Sequence, residues 1–165
     1  MPMIDVPFHW YPDQNKAPSA LKDLDGIIKG ADAYIMVVGE YNQTIPPALT
    51  NLLDYFSPNS YAYRPAGIVS YTPGYRGACI SAVHLRSMLA ELGCICIPDI
   101  LNIPYVTKRI DEDGNLDITC PEGKDLDAHF DLLLTQLIYV SEAMKKQKEV
   151  YMASGKAMPK LHPYL

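Results

Sequence analysis

Apolar residues alternate along this chain between short continuous runs and longer stretches with helical spacing. The first run, AYIMVV at residues 33–38, contains β-branched residues and is bounded by an acid and a glycine. Two further runs occupy residues 67–71 and 94–97. Continuous apolar runs of this length are typical of parallel strands covered on both faces. The pattern therefore predicts three buried strands.

Amphipathic stretches with a helical period lie before, between and after these runs. The first has Ser19 as a candidate cap and Gly30 as a stop signal, and the second begins at Pro46 and Pro47, which suit a first helical turn. The predicted helices cover residues 20–29, 46–56, 78–92 and 125–148. The positions expected to face inward in the first and last are Leu21, Leu24, Ile27, Ile28, Leu126, Phe130, Leu133, Leu134, Leu137 and Ile138.

The order of these elements predicts an α/β fold. Strands that alternate with helices form a mainly parallel sheet with helices on both faces. A length of 165 residues suits a single core. We expect one domain at residues 1–150, followed by an irregular tail at residues 151–165. Sheets of this kind bind ligands at the carboxyl ends of their strands.

Charge and composition exclude several classes of protein. The formal net charge of −5 argues against a broad nucleic-acid surface. The first residues lack the pattern of a secretory signal, and no run approaches the roughly 20 apolar residues of a membrane helix. The four cysteines show no C-x-x-C spacing, so free structural thiols are favoured over metal ligands. These features predict a cytoplasmic protein that binds neither nucleic acid nor membrane.

Two other polar features favour ordinary structural roles. The acidic segment DEDGNLD at residues 111–117 resembles a calcium loop, but its glycine stands fourth where an EF-hand requires the sixth position. A solvated turn between two extended segments is therefore predicted, without a metal. His84 lies within a predicted helix beside apolar neighbours, which favours a surface or core histidine over a catalyst.

Two loops at the carboxyl ends of predicted strands are the candidate site. They cover residues 39–49 and 70–78, and each leads from a strand into a helix. Gly74 and Gly77 lack side chains and so permit a ligand to approach the backbone closely. A helix start also favours an anionic ligand atom.

The sequences of these loops resemble the NAD(P)H-dependent FMN reductase family. The family pattern P-E-Y-N-x-S/G-I-P-x-x-L-K-N-x-L-D is matched by Glu40, Tyr41, Asn42, Ile45, Pro46, Leu49, Asn51, Leu53 and Asp54, with departures at Gly39 and Thr50. The family loop S-x-S-G-G-x-R-G-G is similar to Ser70, Tyr71, Thr72, Gly74, Arg76 and Gly77, with departures at Pro73 and Ala78. The likeness continues in the next helix through Leu85, Arg86, Leu89, Leu92 and Gly93.

The resemblance implies a flavodoxin-like three-layer sandwich that binds FMN and uses NADPH or NADH as co-substrate. Hydride from the nicotinamide would pass through the flavin to free flavin, a quinone or a similar small acceptor. The resemblance implies no general acid or base. The implied cofactor-binding residues are Glu40, Tyr41, Asn42, Ser70, Tyr71, Thr72, Gly74, Tyr75, Arg76 and Gly77.

Several of these residues have a second interpretation at this stage. Tyr41 also suits a subunit contact, and Arg76 suits a nucleotide phosphate as well as an ion pair at the surface or between subunits. The aromatic residues Trp10, Tyr61 and Tyr63 could cover the flavin, pack across a dimer or simply pack within the fold. The resemblance implies a homodimer or higher homo-oligomer.

One departure from the family concerns the first strands. Members begin with a strand and a G-S-x-R-x-x-S type loop that holds the FMN phosphate, and the sequence shows no such segment. We expect the first strands of the fold to be missing, through a truncated gene model, a splice form or processing. Two functions therefore remain open: an FMN-dependent oxidoreductase, or a truncated and catalytically impaired family member that acts as a binding or assembly partner.

Overall fold

The described residues form one sheet of three parallel strands. In the computed structural model, which describes residues 2–161, the strands are β1 (Tyr34–Val38), β2 (Pro65–Tyr71) and β3 (Ile95–Ile103). They lie in the order β1-β2-β3. β1 pairs with β2 in an unbroken register, whereas the pairing of β2 with β3 shifts between Ala66 and Ile68. The predicted α/β fold with a parallel sheet is confirmed.

Helices cover both faces of this sheet. Two short 3₁₀ turns, Phe8–Trp10 and Gln14–Lys16, precede the first of them. The helices are α1 (Ser19–Gly30), α2 (Pro47–Asp54), α3 (Pro58–Tyr61), α4 (Cys79–Glu91), α5 (Val106–Arg109) and α6 (Pro121–Ala153). Residues of α1 to α4 share one core with β1 and β2, and α6 packs on the opposite face against β2 and β3.

The two cores give the three layers expected of this architecture. In the larger core Leu85 and Leu89 of α4 have no exposed surface. In the smaller core, Leu133 of α6 is equally buried against β2 and β3. Both faces of the middle strand, β2, are therefore shielded from solvent, in agreement with its continuous apolar run.

β1 is buried on one face only, which corrects the prediction from its apolar run. Ile35 is 47% exposed and Val37 is 60% exposed. On α6, two residues predicted to face inward, Leu134 and Ile138, are 39% and 57% exposed. The physical reason is the position of α6, which packs over β2 and β3 and leaves the corresponding face of β1 uncovered among the described residues.

α1 also differs from its predicted inward face. Ile27 is 68% exposed, whereas the buried side carries Leu21 and the carboxylate of Asp25. That carboxylate accepts hydrogen bonds from the Ser60 hydroxyl at 2.7 Å and from the Lys29 ammonium at 2.6 Å. A buried acid is stable when it is paired in this way. Apolar spacing did not identify Asp25 as a core position.

Two elements extend beyond their predicted limits. β3 was expected at residues 94–97, but it continues to Ile103 through a bulge around Pro98 that shifts its register against β2. The proline and the polar residue that follows it interrupt the apolar run, which hides the second half of the strand. α6 begins at Pro121 and ends at Ala153, outside the predicted residues 125–148.

Arg64 joins the carboxyl ends of two helices at the amino end of β2. Its guanidinium donates to the carbonyls of Ala31 at 2.7 Å, Ser60 at 3.1 Å and Ala62 at 3.4 Å, and also to that of Lys29. These carbonyls belong to the final turns of α1 and α3 and the residues that follow them. One cation therefore satisfies orphan acceptors of both helices and opposes both helix dipoles.

The two ends of the described chain are held against the domain. Near the start, Ile4 donates from its backbone N–H to Asn51 Oδ1 at 2.7 Å, and Phe8 donates to the Tyr55 carbonyl at 2.7 Å. Near the end, the Tyr63 hydroxyl donates to the Pro159 carbonyl at 2.9 Å. Residues 162–165 of the expected tail lie outside the described residues. Between residues 2 and 161, no helix has both the length and the apolar character needed to cross a membrane.

Candidate active site

The first candidate loop makes a tight turn directly after β1. Tyr41 and Thr44 exchange backbone hydrogen bonds of 3.1 Å and 3.0 Å. The two residues between them, Asn42 and Gln43, both have left-handed backbones, with φ of 51° and 60°. This is the geometry of a two-residue hairpin turn, and asparagine tolerates it better than most residues. The turn is solvent-exposed.

A buried serine connects this loop to the first turn of α4. The Ser81 hydroxyl donates to the Gly39 carbonyl at 2.8 Å, and the Ser81 backbone N–H donates to Glu40 Oε2 at 3.3 Å. Ser81 has no exposed surface. The Glu40 carboxylate therefore lies at the positive end of a helix from another part of the chain, where negative charge is stabilised.

A second buried serine connects the end of β2 with the second loop and the end of β3. Ser70 Oγ lies 2.7 Å from the Gly77 carbonyl and 2.7 Å from Asn102 Oδ1. The single hydroxyl proton serves one of these oxygens at a time. Ser70 has no exposed surface, and its hydroxyl connects the second loop to the end of β3.

The chain directly after β3 forms a third part of the site, which the sequence patterns did not reveal. Thr72 donates from its backbone N–H to the Ile103 carbonyl at 3.2 Å and accepts from the Val106 N–H at 3.1 Å. Tyr105 donates to the Gly74 carbonyl at 2.9 Å. The sequence offered one indication of this segment, because a third parallel strand must end at the same edge of the sheet as the other two. The segment was missed because β3 was predicted to end too early.

The two glycines of the second loop have different surroundings. Gly77 has a φ of +60°, and a Cβ there would lie 3.1 Å from Asn102 Cβ and from the backbone nitrogens of Ile103 and Pro104. Its lack of a side chain is thus required for packing against the end of β3. At Gly74 the nearest atom to such a Cβ is Thr72 Oγ1 at 3.8 Å. Of the two glycines, Gly74 is therefore the one that is not tightly packed.

Exposed aromatic rings surround the three loops. Tyr71 lies over Gly39, since a Cβ at that glycine would be 3.7 Å from its ring and hydroxyl. The Arg76 guanidinium is 5.3 Å from the centre of the Tyr75 ring, and Arg76 Nε donates to the Tyr75 hydroxyl at 2.9 Å. The exposed tyrosines in or beside these loops are Tyr41, Tyr71, Tyr75 and Tyr105, at 64%, 41%, 66% and 43%. Such rings suit a planar ligand.

Other residues considered from the sequence lie away from these loops. Tyr61 is 2% exposed, and its hydroxyl donates to the Leu53 carbonyl at 3.2 Å. Tyr61 and Tyr63 both precede β2, at the opposite end of the strands, so neither covers this site. Trp10 is exposed in a 3₁₀ turn and His84 is exposed on α4. Among the described residues, no three His, Cys, Asp or Glu side chains form a metal-binding group.

Comparison with known families identifies this arrangement. The sequence profile described as NADPH-dependent FMN reductase matches residues 3–108, which include all three strands and all three loops. The chain belongs to the NADPH-dependent FMN reductase family. The resemblance seen in the two loop sequences is thereby confirmed.

Two curated proteins are about a third identical to this family member over roughly half of their own length. A protein of Oryza sativa subsp. japonica named "Probable NADPH:quinone oxidoreductase 2" is 33% identical over 108 residues, which are 60% of this chain and 51% of the relative. A 2-hydroxy-1,4-benzoquinone reductase of Burkholderia sp is 32% identical over 95 residues, which are 54% and 51% of the two chains. The chain thus spans about half the length of the relatives it matches.

A solved structure supports the fold of this NADPH-dependent FMN reductase family member. FerB, a flavoenzyme NAD(P)H:(acceptor) oxidoreductase from Paracoccus denitrificans, superposes with a TM-score of 0.59 over 80% of this chain and 77% of its own. At 23% sequence identity, this likeness establishes the flavodoxin-like fold alone.

The loops of this family member fit the ring of the family's cofactor, FMN. Within residues 2–161, the backbone N–H groups of Asn42, Gln43, Tyr75 and Arg76 donate to no protein acceptor. Exposed donors of this kind suit the polar edge of a flavin ring, and the absence of a side chain at Gly74 permits close approach to its backbone. The second loop enters the start of α4, where a phosphate could meet helix N–H donors, but the Ser81 N–H there already donates to Glu40.

Proposed function

We propose that this protein is a flavin-dependent oxidoreductase that takes hydride from NADPH or NADH and reduces a small quinone-type acceptor. One observation carries the proposal: three loops meet at the carboxyl edge of the sheet and present unpaired backbone donors beside exposed tyrosines. Membership of the family supports the cofactor. The names of the Oryza and Burkholderia relatives support the class of acceptor.

Backbone groups of the first two loops are proposed to bind the ring. The N–H groups of Asn42 and Gln43 would donate from one side, and those of Tyr75 and Arg76 from the other. FMN, when bound, supplies the hydride and electron chemistry. The protein supplies orientation and hydrogen bonds to the negative charge that develops on reduction.

The tyrosines are proposed to bind the planar co-substrates and to exclude water from the ring. Tyr41 and Tyr71 flank the first loop, and Tyr75 extends from the second. Arg76 carries a positive charge that a nucleotide phosphate could attract away from the Tyr75 ring.

No side chain is assigned as a general acid or base. Glu40 is the carboxylate of the first loop, and it accepts a hydrogen bond from Ser81 at the start of α4. Its proposed role is to fix the loop in place. We therefore expect the arrangement of the exposed tyrosines, rather than acid–base chemistry at a particular residue, to determine which acceptors are reduced.

Flavin titration followed by turnover tests the proposal. Binding is measured by quenching of flavin fluorescence, and turnover by the loss of NADPH absorbance with benzoquinone as acceptor. We expect both signals, and we expect His84→Ala, an exposed change on α4, to leave them unchanged. Flavin binding without turnover would instead support the assembly-partner function, and the absence of both would refute the proposed site.

A further inference from the structure

A groove lies at the amino ends of the strands, on the edge of the sheet opposite the candidate active site. It has a volume of about 670 Å³. One wall contains Asp32 and Arg64, which precede β1 and β2, and another contains the last turns of α6. Residues 158–160 close the third side, and the hydrogen bond from the Tyr63 hydroxyl to the Pro159 carbonyl holds this segment in place.

The interior of this amino-edge groove is apolar and adaptable. Three methionines, Met144, Met152 and Met158, line it together with the rings of Tyr63 and Tyr151. Methionine side chains adjust to apolar bodies of different shape, and tyrosine rings stack on flat ones. The volume lies within the range typical of pockets for small molecules, about 300–1,000 Å³.

The rim of the groove is positively charged, in contrast to the chain as a whole. Among the described residues that line it, Arg64, Lys145, Lys148 and Lys160 stand against two acids, Asp32 and Glu149, whereas the full chain carries a net charge of −5. A local excess of cations on an acidic protein attracts anions to that place.

Two of these lysines remain available to a ligand. Lys145 is bound to the Asp32 carboxylate at 2.7 Å, and Arg64 is occupied by backbone carbonyls. Lys148 and Lys160 form no salt bridge with any described carboxylate. The hydrogen bond from Lys145 lowers the pKa of Asp32, and the charges of Lys145, Lys148 and Arg64 lower it further, as expected of a positive field.

We propose that the amino-edge groove binds a small organic anion with an apolar body, such as an aromatic carboxylate or sulfonate. The anionic group binds Lys148 and Lys160, and the apolar body contacts the methionines. An uncharged ligand would gain less from the lysines than an anion does, and nucleic acid requires a broader basic surface than this one. Because the groove and the loops lie at opposite edges of the sheet, this ligand does not compete with flavin.

A pair of fluorescent probes tests the proposal on the full chain. Anilinonaphthalene sulfonate carries both the rings and the negative charge, and phenylnaphthylamine carries the rings alone. We expect the sulfonate to bind more tightly than the neutral amine. Saturating riboflavin should not displace it, which separates this site from the proposed flavin site.

Charge reversal at the groove and at a matched place separates specific binding from general attraction. The test variant is Lys148→Glu with Lys160→Glu, and the control is Lys124→Glu with Lys146→Glu, which makes the same charge change at exposed lysines outside the groove. We expect roughly tenfold weaker sulfonate binding in the test variant and a change of less than about twofold in the control. Met152→Gln should weaken both probes, because Met152 is one of the apolar side chains that line the groove.

Three results would overturn the proposal. Equal sulfonate affinity in the two double variants would remove the lysines from the site. Equal affinity for the neutral amine would show that the charge is not recognised. Sedimentation of the wild type as a dimer that the test variant alone dissociates would show that a second copy of the chain occupies the groove. Circular dichroism of each variant verifies that it is folded.

Discussion

Glu40 Oε2 accepts a hydrogen bond of 3.3 Å from the backbone N–H of Ser81, across a sequence separation of 41 residues. Through this bond, the loop after β1 and the helix after β2 position each other. The Ser81 hydroxyl adds a second contact to the neighbouring Gly39 carbonyl. α4 thus fixes the shape of the first loop, and the second loop in turn sets where α4 begins.

Backbone shape in the first loop should affect flavin binding more than the charge of Glu40 does. Glu40→Gln retains an oxygen that can accept from Ser81 and loses a charge worth about 0.3–1 kcal/mol near a helix start. Asn42→Pro is incompatible with the observed φ of 51°, because proline requires a negative φ. We expect Asn42→Pro to weaken riboflavin binding at least about tenfold and Glu40→Gln by less than about threefold. Fluorescence titration measures both, and a larger loss in Glu40→Gln would contradict the backbone role.

Gly77 and Gly74 should differ in what their substitution damages. Gly77→Val imposes a left-handed backbone on a β-branched residue and a contact at 3.1 Å with the end of β3. We expect a loss of at least about 2 kcal/mol in the free energy of unfolding. Gly74→Ala should leave stability within about 0.5 kcal/mol, so any loss of flavin affinity in that variant reports a direct contact. Urea denaturation and flavin titration separate the effects, and an undiminished stability in Gly77→Val would refute the packing role.

Arg64→Met should destabilise the fold without reaching the candidate active site. The substitution keeps much of the side-chain volume but leaves the Ala31 carbonyl without its donor and the Ser60 carbonyl with only the Tyr34 hydroxyl at 3.4 Å. We expect a loss of about 2–4 kcal/mol in the free energy of unfolding, because buried acceptors left unpaired cost about 1–3 kcal/mol each and some regain water. Urea denaturation measures the loss. Lys124→Met, at an exposed position of α6, is the control and should change stability by less than about 0.5 kcal/mol.

The sequence was sufficient to predict the parallel sheet and the two loops, because apolar runs and helical spacing are local signals. The limits of β3 were not predictable in the same way. Pro98 lies in a bulge that only pairing with β2 makes compatible with a strand. The segment containing Tyr105 was therefore missed, although its N–H donates to Gly74 in the predicted loop.

Contacts between distant elements explain the remaining differences. The run in β1 suggested burial on both faces, but burial depends on where α6 lies, and Val37 remains exposed. The polar residues Asp25 and Ser81 are buried because each finds partners far along the chain. Periodicity contains no information on such partners.

Alkaline pH should destabilise the protein through Tyr34 and Cys94. Burial raises the pKa of each to about 12, from ordinary values of 10.0 and 9.0. Both groups are neutral when protonated, so above pH 9 the unfolded chain releases protons that the folded chain retains. The free energy of unfolding should therefore be level near neutral pH and fall as the pH rises from about 9 towards 12.

Tyr34→Phe provides the control for this dependence. The variant loses the hydrogen bond from the Tyr34 hydroxyl to the Ile28 carbonyl at 2.9 Å, so it should be less stable at neutral pH. It should also lose less stability between pH 9 and pH 11 than the wild type, because one group with a raised pKa has been removed. Urea denaturation at a series of pH values measures both slopes. Parallel curves for the two proteins would show that Tyr34 does not contribute.

Flavins with and without a phosphate should bind this chain with similar affinity. The described loops offer backbone donors to the ring, but the helix start after the second loop already donates to Glu40 through Ser81. A phosphate received by two N–H donors would gain roughly 1.5–3 kcal/mol from each before non-additivity, which is on the order of a hundredfold or more in affinity. Without such donors, we expect FMN and riboflavin to differ by less than about threefold, and weak FMN binding overall.

Parallel titrations of the 165-residue chain with FMN and riboflavin at low and high salt measure this difference. An affinity governed by the ring should change little with salt, whereas a phosphate contact weakens as salt screens it. The prediction fails if Arg76 binds the phosphate. Its exposed guanidinium lies beside the second loop, on the Tyr75 ring. If FMN binds far more tightly than riboflavin, and Arg76→Gln removes that preference together with its salt dependence, then Arg76 is the phosphate receptor. If the preference persists in Arg76→Gln, backbone donors of the loops receive the phosphate instead.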